Sequence, residues 1–343
     1  MRTSPGLSVV LIARNEENNI ARAVESVLSA VALYAATEIV LVDSASIDGT
    51  VEIAGRYPIN IVRLGSSWFL SAAAGRYIGT YYTRGSLVLY MDGDMELGRE
   101  WLDQAISFAV DHGDVAGVTG HVHDIYVRDG QIASEQGPVG DLGKGPMEVK
   151  HFGGVGLYRR SALEQVGGFN PYFISDEEPE LCIRLRDAGH KLVSLPLIAA
   201  RHYCIPQKSL SGQLRRVRMN LFLGFGQIPR YHLGTRLFWI YLRERGSYVV
   251  YLAGMVLTLV ALLLTLFTRD VVYLGGWVLI VSGFLSIYLI RKRSLRKFGQ
   301  SLLFHTLAAL NSVRGFLKAP RSPDEYPTKA EIVRIGYHRG GLG

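Results

Sequence analysis

From Leu7 onward, short apolar runs alternate with segments whose apolar residues recur at helical spacing. Leu7–Ala13 is almost wholly apolar, as a strand covered on both faces would be. Ile20, Val24, Val27, Leu28 and Val31 then fall on one side of a helix. The order repeats with a strand at Glu38–Val42, a helix from Thr50 that stops before Pro58, and a strand at Ile59–Leu64. A helix within Ser71–Thr83, a strand at Ser86–Met91 and a helix from Arg99 to His112 follow. This alternation predicts an α/β fold with a mostly parallel sheet covered by helices. Ligands of such sheets sit beyond the carboxyl ends of the strands. Polar residues stand there: Arg14-Asn15-Glu16, Asp43 and Asp92-Gly93-Asp94.

Beyond Val115 the pattern loosens into an extended run to Val127, a turn at Asp129-Gly130 and a Gly- and Pro-rich loop from Glu135 to Met147. Order returns with a strand end at Tyr158, a helix from Ser161, and a helix over Pro179–Ala188 that Gly189 suits as a left-handed cap. Ser209–Phe225 mixes Arg215, Arg216 and Arg218 with apolar residues, as a segment lying along a membrane surface does. Ser247–Phe267 and Val271–Ile290 then carry no charge at all, and each has about the twenty residues that a membrane-crossing helix needs. Thr268-Arg269-Asp270 leaves room only for a tight turn between them. Phe298–Leu317 is again amphipathic, and the stretch from Pro320 reads as a loosely ordered tail.

Charge sharpens the membrane reading. The chain has 343 residues, 48% of them hydrophobic, and its 37 basic and 30 acidic residues give a net charge of +7. Arg243 and Arg245 precede the apolar pair; Arg291, Lys292, Arg293, Arg296 and Lys297 follow it. Such flanks place both ends of a hairpin on the cytoplasmic side and attract anionic lipid headgroups. No base-stacking or groove-reading motif accompanies them, so nucleic acid is not an expected partner. No secretory signal is apparent at the N-terminus. Cys182 and Cys204 alone make no disulfide framework, in keeping with a reducing compartment.

The chemistry concentrates at strand ends. In Asp92-Gly93-Asp94 two carboxylates one residue apart offer oxygen ligands to Mg²⁺ or Mn²⁺, an ion able to bridge a diphosphate. Asp43 can accept the imide N–H of uracil, Glu16 can contact base or ribose, and Arg76 adds positive charge beside a nucleotide. Helix capping and turn-stabilising bonds are the plainer roles for Glu16 and Asp43. Asp176-Glu177-Glu178-Pro179-Glu180 places acid before a helix, which the helix dipole alone favours; one of these carboxylates can also serve as a general base. His202 is a further candidate ligand for metal or diphosphate.

Together these residues resemble the inverting family-two glycosyltransferases of the GT-A fold. The resemblance runs from about residue 7 to 202. It rests on Ala13-Arg14-Asn15-Glu16-Glu17, Val42-Asp43-Ser44-Ala45-Ser46-Ile47-Asp48-Gly49-Thr50, Asp92-Gly93-Asp94, Gly153-Gly154, Gly167-Gly168-Phe169 and Glu177-Glu178-Pro179-Glu180-Leu181-Cys182-Ile183-Arg184-Leu185. It implies nucleotide contacts at Ala13, Asn15, Glu16, Asp43, Arg76 and Asp92, metal at Asp92, Asp94 and His202, and a catalytic base at Glu178 or its neighbour Glu177. The sequence departs from the family in having Glu178 where Asp is usual and Tyr77 where Asn is frequent. Gln213-Leu214-Arg215-Arg216-Val217 resembles a processive-synthase motif, but Val217 stands in place of Trp.

The expected organisation is a GT-A domain at 1–205, an interfacial linker at 206–246, a transmembrane hairpin at 247–290 and a basic, amphipathic cytoplasmic tail at 291–343. The expected activity is metal-dependent transfer from a nucleoside-diphosphate sugar, with uridine as the favoured base. The acceptor is lipid-linked, of the polyprenyl-phosphate kind, or a glycan, at the cytoplasmic face of the inner membrane. Membrane lipids are partners, and a homo-oligomer is compatible with the sequence. A processive polysaccharide synthase, a nucleotidyltransferase and a nucleotide-binding scaffold without catalysis are the rivals.

Overall fold

The structure is a computed structural model describing residues 6–128, 131–137, 143, 145–204 and 210–336. The expected turn at Asp129-Gly130, part of the Glu135–Met147 loop and Ser209 lie outside the described residues. The chain forms two compact units, one of Met1–Ile205 with Arg321–Gly343, the other of Pro206–Pro320.

The first unit is built on one sheet. Strands β1 (Leu7–Ala13), β2 (Thr37–Asp43), β3 (Asn60–Arg63) and β4 (Leu87–Asp92) form its parallel core, in the order β3-β2-β1-β4. Helices α1 (Ile20–Ala30), α2 (Thr50–Ala54) and α3 (Ala72–Tyr81) connect them. β1 is buried along its whole length, as a strand covered on both faces must be. α1 turns Ile20, Ala23, Val24, Val27 and Ala30 inward, close to the stripe expected from the spacing.

Beyond β4 the sheet is mixed. β5 (Met95–Leu97), α4 (Arg99–Asp111), β6 (Val115–Arg128), β7 (Gln131–Gln136), β8 (Met147–Glu148) and β9 (Val155–Arg159) follow in the chain. After them come α5 (Arg160–Gln165), α6 (Glu177–Asp187) and β10 (Lys191–Cys204). β9 runs antiparallel between β4 and β6, β10 lies parallel to β6, and β5 pairs antiparallel with β10. His202, expected after a strand, lies within β10.

α3 lies unusually close to β1. A Cβ on Gly79 would collide with Val10, and one on Gly75 would stand 2.9 Å from Ile12 Cγ2. These two glycines let the helix settle onto the strand and bring Arg76, between them, into the interior. Ser71 caps the helix by accepting from Ala74 N at 3.0 Å, and its hydroxyl donates to Pro171 O at 2.8 Å.

The stretch after Pro320 is not the loose tail expected. β11 (Glu331–Arg334) pairs antiparallel with β3, closing that edge of the sheet. Tyr326 is buried, with ring centroids 5.7 Å from Trp68, 5.9 Å from Tyr77 and 5.4 Å from Tyr172. Its hydroxyl donates to Phe69 O at 2.7 Å, and the Arg321 guanidinium lies 3.9 Å from the Tyr172 ring centroid. One aromatic anchor and a short edge strand suffice to fix a segment that looks polar in sequence.

The second unit is helical: α7 (Leu210–Arg218), α8 (Gly224–Tyr231), α9 (Arg236–Arg245), α10 (Ser247–Thr268), α11 (Val272–Lys292) and α12 (Leu295–Phe316). Phe222, Phe225, Tyr248, Ala308 and Ala309 form its small core. Gln213 of the synthase-like motif is buried and donates to Gln300 O at 3.1 Å, tying α7 to α12. α10 and α11 have mean hydropathies of 2.5 and 1.9 and are long and apolar enough to cross a membrane. α10 buries only Tyr248 and Ala261, and α11 buries nothing. Core helices of a soluble protein would be covered, so this much bare apolar surface calls for lipid or a partner.

Tyr326→Ala should lower stability by about 3 kcal/mol, the usual cost of emptying an aromatic core site, and Tyr326→Phe by only about 1 kcal/mol. Urea unfolding in detergent, followed by tryptophan fluorescence, measures both; an unchanged midpoint for Tyr326→Ala would show that the segment is not anchored.

Candidate active site

The carboxyl ends of β2, β1 and β4 lie side by side. Ala13 pairs with Asp43, and Ile12 with Asp92. The sheet register alone therefore gathers three of the polar positions expected from sequence.

At the centre is Arg76, whose side chain is 2% exposed. Its Nη1 donates to Glu177 Oε1 at 2.6 Å, while Nη2 donates to Asp92 Oδ1 at 2.8 Å and to Glu178 Oε1 at 3.0 Å. Burial works against the charge on Arg76, but Glu178, Asp92 and Glu177 outweigh it, and the group stays ionised far above the usual range. Burial is also the largest influence on Asp92; with Glu178, Asp94 and Glu177 nearby it outweighs Arg76 and pushes the carboxyl up to about 8. Burial raises Glu177 in the same way, against the pull of Arg76. Three carboxyl groups thus share one guanidinium, and a cation bound beside them would favour their ionised forms.

α6 supplies two of those carboxylates from its first turn. Asp176, with φ 63°, turns the chain into the helix through the left-handed region, a conformation that Asp tolerates better than most residues. Helical spacing suggests that only one of Glu177 and Glu178 can face a site, yet both reach Arg76, because the planar fork presents two separate nitrogens. Glu177 is the more enclosed, with 8% of its side chain exposed against 18% for Glu178. Gly154 N donates to Glu178 Oε1 at 2.6 Å. Both bonds fall on Oε1 and leave Oε2 as the oxygen available to a ligand. Gly154 has φ 68°, and a Cβ there would collide with Met95, so the contact depends on glycine.

Asp94, His202 and Asp124 form a second cluster beside the first. His202 Nε2 lies 3.3 Å from Asp94 Oδ2, and Nδ1 lies 2.9 Å from Asp124 Oδ1. Burial opposes a charged imidazole, but bonds to Asp94, Cys204 and Asp124 prevail and push His202 up to about 11. Asp94 Oδ1 is buried without a hydrogen-bond partner. An orphaned carboxylate oxygen on Asp94 and the imidazole of His202, with the Asp92 carboxyl two residues away, are a donor set suited to Mn²⁺ or Mg²⁺.

The ends of β1 and β2 are more closed. Asp43 is fully enclosed; its Oδ2 accepts from Ser46 N at 3.0 Å and pairs with Arg63 Nε at 3.3 Å, while Oδ1 is buried without a partner. Asn15, at φ 57°, donates from its backbone to Ser46 Oγ at 2.9 Å and accepts from Ile47 N through Oδ1 at 2.9 Å. Glu16 N donates to Thr50 Oγ1 at 2.7 Å, and Asn19 Nδ2 donates to Glu16 Oε2 at 2.8 Å. Asn15 and the backbone N–H of Glu16 thus lock the segment after β1 onto the segment after β2. Nothing in the sequence marks Asp124, which sits within a strand and outside any motif. Only its cross-strand pairing with His202 reveals it.

Residues 8–167 match the model for glycosyl transferase family 2. Glycosyltransferase AglE of Haloferax volcanii is 28% identical over 197 residues, which is 55% of this chain and 64% of that relative, just under two thirds of its length. Among solved structures, the mannosyltransferase PcManGT of Pyrobaculum calidifontis, in complex with GDP-Man and Mn²⁺, superposes with a TM-score of 0.58 at 16% identity. That likeness covers 92% of this chain and 88% of that one. S. aureus TarS 1-349 in complex with UDP-GlcNAc gives a TM-score of 0.52 at 15% identity, covering 90% and 92% of the two chains. The mixed sheet is that of the GT-A glycosyltransferases.

Replacing Arg76 with Met should destabilise the protein by about 3–5 kcal/mol at pH 7.5, because Asp92, Glu177 and Glu178 lose their shared counter-ion. The loss should shrink at pH 5.5, where those carboxylates take up protons more readily. Chemical unfolding at the two pH values tests this; an equal loss at both would deny that charge is the cause.

Proposed function

We propose that the family 2 domain transfers a sugar from a nucleoside-diphosphate donor, held with Mg²⁺ or Mn²⁺, to a membrane-associated acceptor, with inversion at the anomeric carbon. The observation that carries this reading is the convergence of Asp92, Glu177 and Glu178 on Arg76, with Asp94 and His202 alongside. The solved neighbours that hold nucleotide sugars, one with Mn²⁺, support the donor class and the metal.

In this reading Ala13, Asn15 and Glu16 line the nucleotide side and Asp43 Oδ1 accepts the imide N–H of a uracil. Asp92, Asp94 and His202 hold the cation, which when bound offsets the charge on the departing diphosphate. Glu178 Oε2 takes the proton of the acceptor hydroxyl while Arg76 and Gly154 N keep Oε1 fixed. The freed oxygen bonds to the anomeric carbon from the face opposite the donor bond, and that bond's electron pair leaves with the diphosphate. A single displacement of this kind inverts the centre. Glu177, the more enclosed acid, holds Arg76 in place.

α10 and α11 support a membrane location. Residues before α7 and after α12 share one sheet through β10 and β11, and two crossings return a chain to the side it left. The basic residues at both ends favour the cytoplasmic side. A lipid-linked phosphate or sugar presented at that leaflet is the acceptor this arrangement favours.

Nucleotide release from a panel of sugar nucleotides, with and without membrane lipid extract, tests the activity, and a uridine donor should give the strongest signal. Asp94→Ala should cut transfer about 10²–10³-fold. Glu178→Gln should spare donor binding and reduce turnover about 10²-fold. Full turnover in excess chelator, or release from no donor at all, would sink the reading, the second outcome favouring a scaffold.

The topology has its own test. A cysteine placed at Arg269 should react with an impermeant maleimide from outside intact cells, whereas one at Lys318 should react only after lysis. Labelling at Lys318 from outside would rule out the hairpin.

A further inference from the structure

We propose that Asp124 is a positioning residue for the metal: it fixes the ring of His202 so that Nε2 faces the cation beside Asp94. This rests on the metal reading above. β10 is paired on both sides at this point, His202 standing opposite Asp124 of β6 and opposite Met95 of β5, the strand that follows the Asp92-Gly93-Asp94 turn. Tyr203 N also donates to Asp94 O at 2.9 Å. The backbone therefore sets the spacing between Asp94 and β10, and what is left to fix is the rotation of the imidazole.

Asp124 Oδ1 fixes it from 2.9 Å. An ionised carboxylate only accepts, so Nδ1 must carry the proton of this bond. With Nδ1 held in this bond, Nε2, 3.3 Å from Asp94 Oδ2, is the nitrogen whose proton a metal would displace to gain a lone pair. A carboxylate behind a ligating histidine holds the tautomer, orients the ring and raises its basicity, and losing such a partner typically costs about 10–100-fold in metal affinity. Asp124 sits at the opposite edge of the ring from Nε2, too far round to share an ion bound there. Cys204, two residues along β10, offers another arrangement. Ligand atoms of Asp124, His202 and Cys204 all lie within 4.8 Å of one another, and an ion held by those three would make Asp124 a direct ligand.

Mn²⁺ titrated into the full-length protein in detergent, followed by calorimetry and by loss of the free-ion paramagnetic resonance signal, separates these cases. Asp124→Ala should weaken Mn²⁺ binding about 10–100-fold. Asp124→Asn keeps an acceptor oxygen and should recover much of the loss. In a His202→Ala background, Asp124→Ala should change affinity less than about twofold, since a residue acting through another has nothing left to act on. Cys204→Ser should leave Mn²⁺ affinity within about twofold of wild type, in keeping with a thiol outside the oxygen-and-nitrogen set. Unchanged affinity in Asp124→Ala, an equal loss with and without His202, or a loss in Cys204→Ser as large as in Asp124→Ala would each overturn the proposal. Failure of the wild type to bind Mn²⁺ would overturn it together with the metal reading, and is distinguishable from the rest because the variants would then not differ.

Discussion

Arg76 is a full positive charge placed in the interior, and much of the surrounding structure makes that tenable. Burying a guanidinium without partners costs several kcal/mol, more than most single contacts return. The partners that offset the cost lie 16, 101 and 102 residues away along the chain. They meet only when α3 lies close on β1, β4 ends beside it and α6 begins beneath. Gly75 and Gly79 permit the first approach, the parallel register sets the second, and the left-handed turn at Asp176 sets the third. An interior charge is thus satisfied by the same folding steps that assemble the site.

The two halves of the sheet divide the chemistry between them. The parallel half ends in Asp43 and the locked loops after β1 and β2, the part proposed to take base and ribose. The mixed half contributes His202 and Asp124 from neighbouring strands. Asp92-Gly93-Asp94 is the turn that joins the halves, and Gly93 allows it to pass close to Ala13, whose Cβ would lie 2.9 Å from one on residue 93. A cation centre at this seam needs both halves in register. The fused edge explains why a short acidic turn, an ordinary feature of many loops, here lies among groups from β1, β6, β10, α3 and α6 of the same unit.

Sequence patterning disclosed most of the parallel half, because strands buried on both faces leave continuous apolar runs and their helices leave clear stripes. Leu7–Ala13 matches its strand residue for residue. The hairpin was equally plain, since length and hydropathy bear on it directly. Long-range pairings left weaker traces. The charge of Arg76 was visible, but not its burial or the fact that one planar fork would hold both Glu177 and Glu178. Asp124 carried no motif, because a cross-strand neighbour is separated in sequence by the whole loop between strands. The segment after Pro320 misled for a related reason: four residues and one tyrosine are too few for periodicity, and their order comes entirely from the edge and the aromatic ring they meet.

That returning segment bears on how the protein is made. Synthesis runs from the N-terminus, so β3 emerges early and its outer edge waits unpaired until Glu331–Arg334 leaves the ribosome, after α10 and α11 have already been produced. Until then Trp68 and Tyr77 lack the ring that covers them, and an open strand edge is a place where chains join wrongly. The sheet can be completed only by a chain whose apolar helices have already been dealt with. Closure of β3 is therefore one of the last pairings open to the newly made chain.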